Sequence, residues 1–199
     1  DENILALGLD DDGLVVAAGT TRSHDLPVTG GAPQATYAGG LWFGDAFVAR
    51  LSRDLTTLDL GSYLGGSGDD VPGAVAMLAD NQVVLAGWTG SADWPLAGEL
   101  VDDALAGSSD AFVALLDLDA SQILQSTYMG GASSDKATAF ALADTGELIL
   151  AGFTTSSDMV VTAGAYDTSF GGFPGLITDA FTHRLDAGLV LGASPDWAD

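Results

Sequence analysis

The sequence predicts an all-β chain assembled from three copies of one four-stranded unit, and three recurring strings predict it. Asp45–Leu51 reads DAFVARL and returns as DAFVALL at Asp110–Leu116 and as DAFTHRL at Asp179–Leu185. LVVAAGTT at Leu14–Thr21 returns as VVLAGWT at Val83–Thr89 and LILAGFTT at Leu148–Thr155. SYLGGSGDD at Ser62–Asp70 returns as TYMGGASSD at Thr127–Asp135. The spacings are 65 and 69 residues for the first string, 68 and 65 for the second, and 65 for the third. Three markers that keep one order and nearly one spacing identify a repeat protein. The units run approximately over 4–70, 71–135 and 136–199, and together they make one repeat domain over 1–199.

Each unit opens with a hairpin, because short aliphatic runs flank turns rich in Asp, Asn and Gly. Ile4–Leu9 and Leu14–Thr20 flank Asp10–Gly13 in the first unit. Ala74–Leu78 and Val83–Trp88 flank Ala79–Gln82 in the second, and Ala137–Leu142 and Glu147–Thr154 flank Ala143–Gly146 in the third. The second hairpin starts at the DAF string, as in Ala111–Leu116, turns through Asp117–Ser121 and returns as Ile123–Met129. Phe112, Ala114 and Leu116 alternate onto one face, the period of a strand. Gly65-Gly66 and Gly130-Gly131 fall where the last strand must turn, and a positive φ is expected there. Gly19, Gly87 and Gly152 interrupt strand patterns, which marks a bulge or a close backbone approach.

Four strands in about 65 residues, repeated, is the pattern of propeller blades, each of which needs a neighbour to bury its apolar face. The prediction is therefore a propeller-type array of three four-stranded antiparallel blades. The third unit departs from the others. After Leu185 the turn is a short Asp186-Ala187-Gly188, and the closing strand Leu189–Gly192 lacks the Tyr-Leu-Gly-Gly ending and the acidic turn after it. Three blades are fewer than the roughly four to eight of a closed ring. The chain is then part of a longer array, a share of a ring completed by several copies, or an open fan of three units, and the first is the expected setting.

The order DAFVA-x-L, then Ser/Thr-Tyr-Leu/Met-Gly-Gly, then a hairpin ending in Ala-Gly-aromatic-Thr, resembles the bacterial β-propeller repeat family described as seven-bladed. The stretch between the hairpins fits as well, since Pro27–Ala32 with Thr36–Gly40 is echoed by Val160–Ala165 with Ser169–Gly172. The resemblance implies a propeller in an exported or surface-attached protein, and it brings no catalytic motif with it.

The charge narrows the partners. With 28 acidic residues against 5 basic ones, the formal net charge is −23. Such a field repels nucleic-acid phosphates and anionic lipid, so nucleic-acid binding and direct membrane insertion are not expected. It suits saline surroundings, where self-repulsion is screened. No cysteine is present, so disulfides, thiolate metal sites and thiol nucleophiles are excluded.

Chemistry is expected in the long segments between hairpins, Ser23–Gly44, Ser91–Ser109 and Ser156–Thr178, because loops beyond about 12–15 residues are commonly functional. Stacked units would gather these loops on one face. Trp42, Phe43, Trp94, Phe170 and Phe173 are the candidate ligand-binding rings, able to stack on sugars or hold apolar side chains. Packing of the same rings onto the blade beneath is the alternative. Asp69, Asp70 and Asp135, in matching inter-unit turns, are candidate Ca2+ ligands, since calcium takes six to eight oxygens of the kind such turns offer. Ordinary Asp turn chemistry is the competing explanation. Asp45, Asp110 and Asp179 recur in all three units and are expected to close turns onto backbone N–H groups.

No catalytic set is expected. His24 lies in a loop, and His183 takes a strand position held by Ala49 and Ala114 in the other units. The expected function is a non-catalytic extracellular or cell-surface scaffold or binding module, with protein or glycan bound at the loop face. A structural subunit that self-associates through its open end blades is the alternative. A hydrolase or lyase with a loop-face site ranks behind both.

Overall fold

A computed structural model describes residues 1–9, 13–78, 81–117, 122–160, 167–172, 176 and 178–186. The chain is all-β, and among the described residues there is no helix. Sheet one holds β1 (Glu2–Leu9), β2 (Val15–Thr21), β3 (Asp45–Leu51) and β4 (Leu58–Leu64). Sheet two holds β5 (Asp70–Met77), β6 (Gln82–Thr89), β7 (Asp110–Asp117) and β8 (Gln122–Met129). Sheet three holds β9 (Asp135–Leu142), β10 (Leu148–Thr154) and β11 (Asp179–Leu185). All pairings between these strands are antiparallel and join chain neighbours. The expected closing strand Leu189–Gly192 lies outside the described residues, as does the Asp10–Asp12 turn.

The first strand of each later unit starts earlier than its apolar run suggests. β5 begins at Asp70 and β9 at Asp135, so these two aspartates are strand residues paired with Thr89 and Thr154. Pro72 is tolerated because β5 is an edge strand, and the register shifts between Pro72 and Ala74. Gly87 faces this irregularity, where a side chain would strike the Val71 carbonyl. Gly19 and Gly152 stand equally close to the backbone of Asn3 and Lys136, which is the close approach expected of them.

The paired glycines are a correction. None of Gly65, Gly66, Gly130 and Gly131 has positive φ. Their lack of a side chain serves packing instead, since a Cβ on Gly65 or Gly130 would collide with Asp70 or Asp110, and one on Gly66 or Gly131 with Asp93 or Asp158.

Alternation places the core between sheets. Val83, Leu85, Phe112, Ala114 and Leu116 of sheet two bury against Val16, Ala18, Val48 and Leu60 of sheet one. Their neighbours Val84, Ala86, Val113 and Leu115 bury on the other face against Leu148, Leu150 and Leu185 of sheet three. Sheet two is thus apolar on both faces, as a strand layer covered on both sides must be. The first strand of each sheet lies across the one before, β5 against β1, β2 and β3, and β9 against β5, β6 and β7.

Candidate functional site

The site grows from how the first long loop is held. The Tyr63 hydroxyl, buried at the end of β4, donates to the Ser23 carbonyl at 2.8 Å and accepts from the Leu26 N–H at 3.0 Å. Tyr128 does the same for the second loop, donating to the Ser91 carbonyl at 2.6 Å and accepting from the Trp94 N–H at 3.2 Å. Asp45 then gathers the far end of the first loop, accepting from the N–H groups of Ala38 and Gly39 at 2.8 and 3.0 Å. Asp110 and Asp179 likewise accept from the Ala106 and Gly171 N–H groups, as their recurrence leads one to expect.

The loop tip is built on Asp69. One carboxylate oxygen accepts the N–H groups of Trp42, Phe43 and Gly44 at 2.9, 2.9 and 3.0 Å. Burial acts to raise the Asp69 pKa, but donation from Gly44, Phe43, Trp42 and Leu41 outweighs it and holds the carboxyl below its ordinary range. Gly44 has φ near 78°, which lets three successive amides converge on one oxygen. The result is a fixed tip whose side chains face solvent, with Leu41 83% and Trp42 78% exposed. Phe43 is partly sheltered, edge-on to Trp88 of sheet two at 5.6 Å, and Lys136 of sheet three caps Trp88 at 3.6 Å. Beside the tip is an open cleft of about 550 Å³, walled by Trp42, Phe43, Thr20 and Arg22 and floored by Asp1–Asn3. Arg22 is paired with Asp1 at 2.7 Å there.

Trp94 does not join this patch. Trp94 is buried, its ring 4.2 Å from Phe112 and its Nε1–H donating to Ser126 Oγ at 2.8 Å. It packs the second loop onto sheet two, so at this residue the packing alternative describes the ring and the ligand-binding one does not. Phe170 is half-buried in the third loop, and Phe173 lies outside the described residues.

The acidic candidates are also engaged by their own chain. Asp70 accepts from the hydroxyls of Thr89 and Ser91 and from the Gly66 N–H. Asp135 accepts from Thr154, Ser156 and the Gly131 N–H in the same manner. With Asp69 occupied by backbone amides, the three carboxylates act as structural acceptors rather than as an oxygen cage. Among the described residues no three His, Asp or Glu side chains come together as metal ligands. His24 stands exposed against Tyr37, and His183 is buried in β11 with neither ring nitrogen bonded among the described residues.

One constellation escaped the sequence reading although its signal is plain. Thr-x-Ser-x-Asp occurs as Thr21-Arg22-Ser23-His24-Asp25, Thr89-Gly90-Ser91-Ala92-Asp93 and Thr154-Thr155-Ser156-Ser157-Asp158. In the last two it receives the turn arriving from the preceding sheet. Ser67 donates its N–H and Oγ–H to Asp93 at 2.7 and 2.9 Å, while the Gly68 N–H donates to Ser91 Oγ at 2.9 Å. Ala132 and Ser133 repeat this on Asp158 and Ser156, both at 2.9 Å.

No protein-family model matches the chain, and no curated protein matches it. Among the described residues no helix is long and apolar enough to cross a membrane.

Proposed function

We propose that this chain is a non-catalytic binding module of the propeller type, exported or displayed at a cell surface, which holds a protein or glycan at the Leu41–Phe43 tip and its cleft. One observation carries the reading: a tryptophan and a leucine are kept in water by a loop that is actively held in place. Leaving Trp42 exposed forgoes burial worth roughly 1.5–3 kcal/mol for a large apolar side chain. A fixed aromatic ring at the rim of a polar cleft is suited to stack on a sugar face or receive an apolar side chain. The propeller arrangement is supported by the way β5 and then β9 lie across the first three strands of the sheet before, as successive blades do. The surface setting rests on the family resemblance and the acidic, cysteine-free composition.

Glycan and peptide arrays probed with the wild-type chain and with Trp42→Ala test the reading. Spots retained by the wild type and lost by Trp42→Ala support it. Arrays that are blank for both, or identical for both, refute it.

A further inference from the structure

The negative field around the Leu41–Phe43 tip has a local source as well as a global one. Asp1, Glu2 and Arg22 line the cleft beside Trp42 and Phe43. Arg22 is tied to Asp1 at 2.7 Å, which leaves the exposed Glu2 carboxylate with no ion-pair partner among the described residues. Beneath the tip, Asp69 accepts the Trp42 and Phe43 N–H groups at 2.9 Å. Those donors hold its carboxyl below the ordinary range, so it keeps its charge. The chain as a whole adds a net charge of −23. A cation is therefore drawn toward this cleft, and a carboxylate or phosphate is repelled from it.

The chain also shows how it holds a cation in such surroundings. Lys136 sets its ammonium 3.6 Å from the centre of the Trp88 ring, and Phe43 meets the same ring edge-on at 5.6 Å. Trp42 precedes Phe43 in the chain and is 78% exposed, and among the described residues no cation stands over its ring. An indole face attracts Lys or Arg through its quadrupole. Glu2, in the wall of the same cleft, supplies a charge for that group. Leu41, 83% exposed, offers an apolar surface next to the ring, which suits an aliphatic side chain better than sugar hydroxyls.

Resting on the reading of this tip as a binding surface, we infer that its partner is a protein that presents a lysine or arginine beside an aliphatic residue. The cation lies over Trp42 at the Glu2 wall of the cleft, and the aliphatic side chain covers Leu41. Asp69 fixes the tip before the partner arrives, so less ordering opposes the contact.

A synthetic peptide array tests this inference. Each peptide carries a central Leu-Lys, Leu-Arg, Leu-acetyllysine or Leu-Glu pair between identical Gly-Ser flanks, with neutral glycans printed alongside. The wild type is expected to retain the Lys and Arg peptides about fivefold or more above the acetyllysine ones, and to release them as sodium chloride is raised. Trp42→Ala should lose that preference. In calorimetry with the Leu-Lys peptide, Glu2→Gln should weaken binding by about two- to fivefold and reduce its salt dependence. Retention that needs Trp42 but is equal for lysine and acetyllysine, or is confined to neutral glycans, overturns this inference and leaves the binding tip standing. Glu2→Gln that matches the wild type in affinity and salt dependence overturns the placement of the cation in the cleft. Lys and Arg peptides held equally by the wild type and Trp42→Ala, or an array blank for both, overturn the inference and the binding tip together.

Discussion

Asp70 is buried with no counter-ion among the described residues, and this sets the clearest residue-scale prediction. Burial pushes its carboxyl up to about 7, against the lowering effect of the Thr89, Gly66 and Ser91 donors. Burial likewise raises Asp110 to about 6. A carboxyl with a raised folded pKa holds its proton more tightly in the native state. Its contribution is full below the unfolded pKa of about 3.9 and is lost as pH rises through the folded value. Denaturant melts should therefore show stability falling between pH 4 and pH 7 by on the order of 4 kcal/mol for Asp70, and Asp70→Asn should flatten that slope. His183 has the opposite sign. Burial lowers its pKa, so the native state resists protonation, and stability is lost as pH falls below about 6.5. His183→Ala, the residue of the other two units at this position, should remove that acid limb. The recurrence of Asp45, Asp110 and Asp179 made their structural role legible in the sequence. The turn-like composition around Asp70 and Asp135 hid theirs, because the strand period starts at an acidic residue that only the tertiary partners Thr89 and Thr154 explain.

At the scale of the element, the loops depend on the tyrosines beneath them. Tyr63→Phe removes the hydroxyl that bridges Ser23 and Leu26, and should lower unfolding stability by about 1–3 kcal/mol. Its readout in function is separate from that of Asp69. Asp69→Ala should leave the global melt nearly unchanged, yet speed amide exchange at Trp42, Phe43 and Gly44, whose N–H groups it accepts. In the core, Leu116→Ala should cost about 2–5 kcal/mol, since that side chain is fully buried between sheets one and two. The strands themselves were readable because alternation and turn residues agree, as at Phe112, Ala114 and Leu116. The loop rings were not. Leu26 and Trp94 both follow their Thr-x-Ser at the same step and both donate to a tyrosine hydroxyl, so Trp94 is a packing residue by position. Trp42 has no aromatic counterpart, and its exposure follows from Asp69, whose place in the next unit is taken by Ser134.

For the whole molecule, the repeat made the three sheets legible, and the order of strands within each follows the chain. How consecutive sheets grip one another was legible only in part, since the Thr-x-Ser-x-Asp motif means little until the arriving Gly-Gly turn is seen on it. On the proposed function, the stacked sheets hold the exposed Leu41–Phe43 tip in place for a partner. Calorimetric titration of an array-retained ligand into the wild type, Trp42→Ala and Trp94→Phe tests this most directly. The account predicts a loss of about thirtyfold or more for Trp42→Ala, as for an aromatic anchor, with Trp94→Phe binding like the wild type once its folding is verified. Equal affinity of the wild type and Trp42→Ala would contradict it.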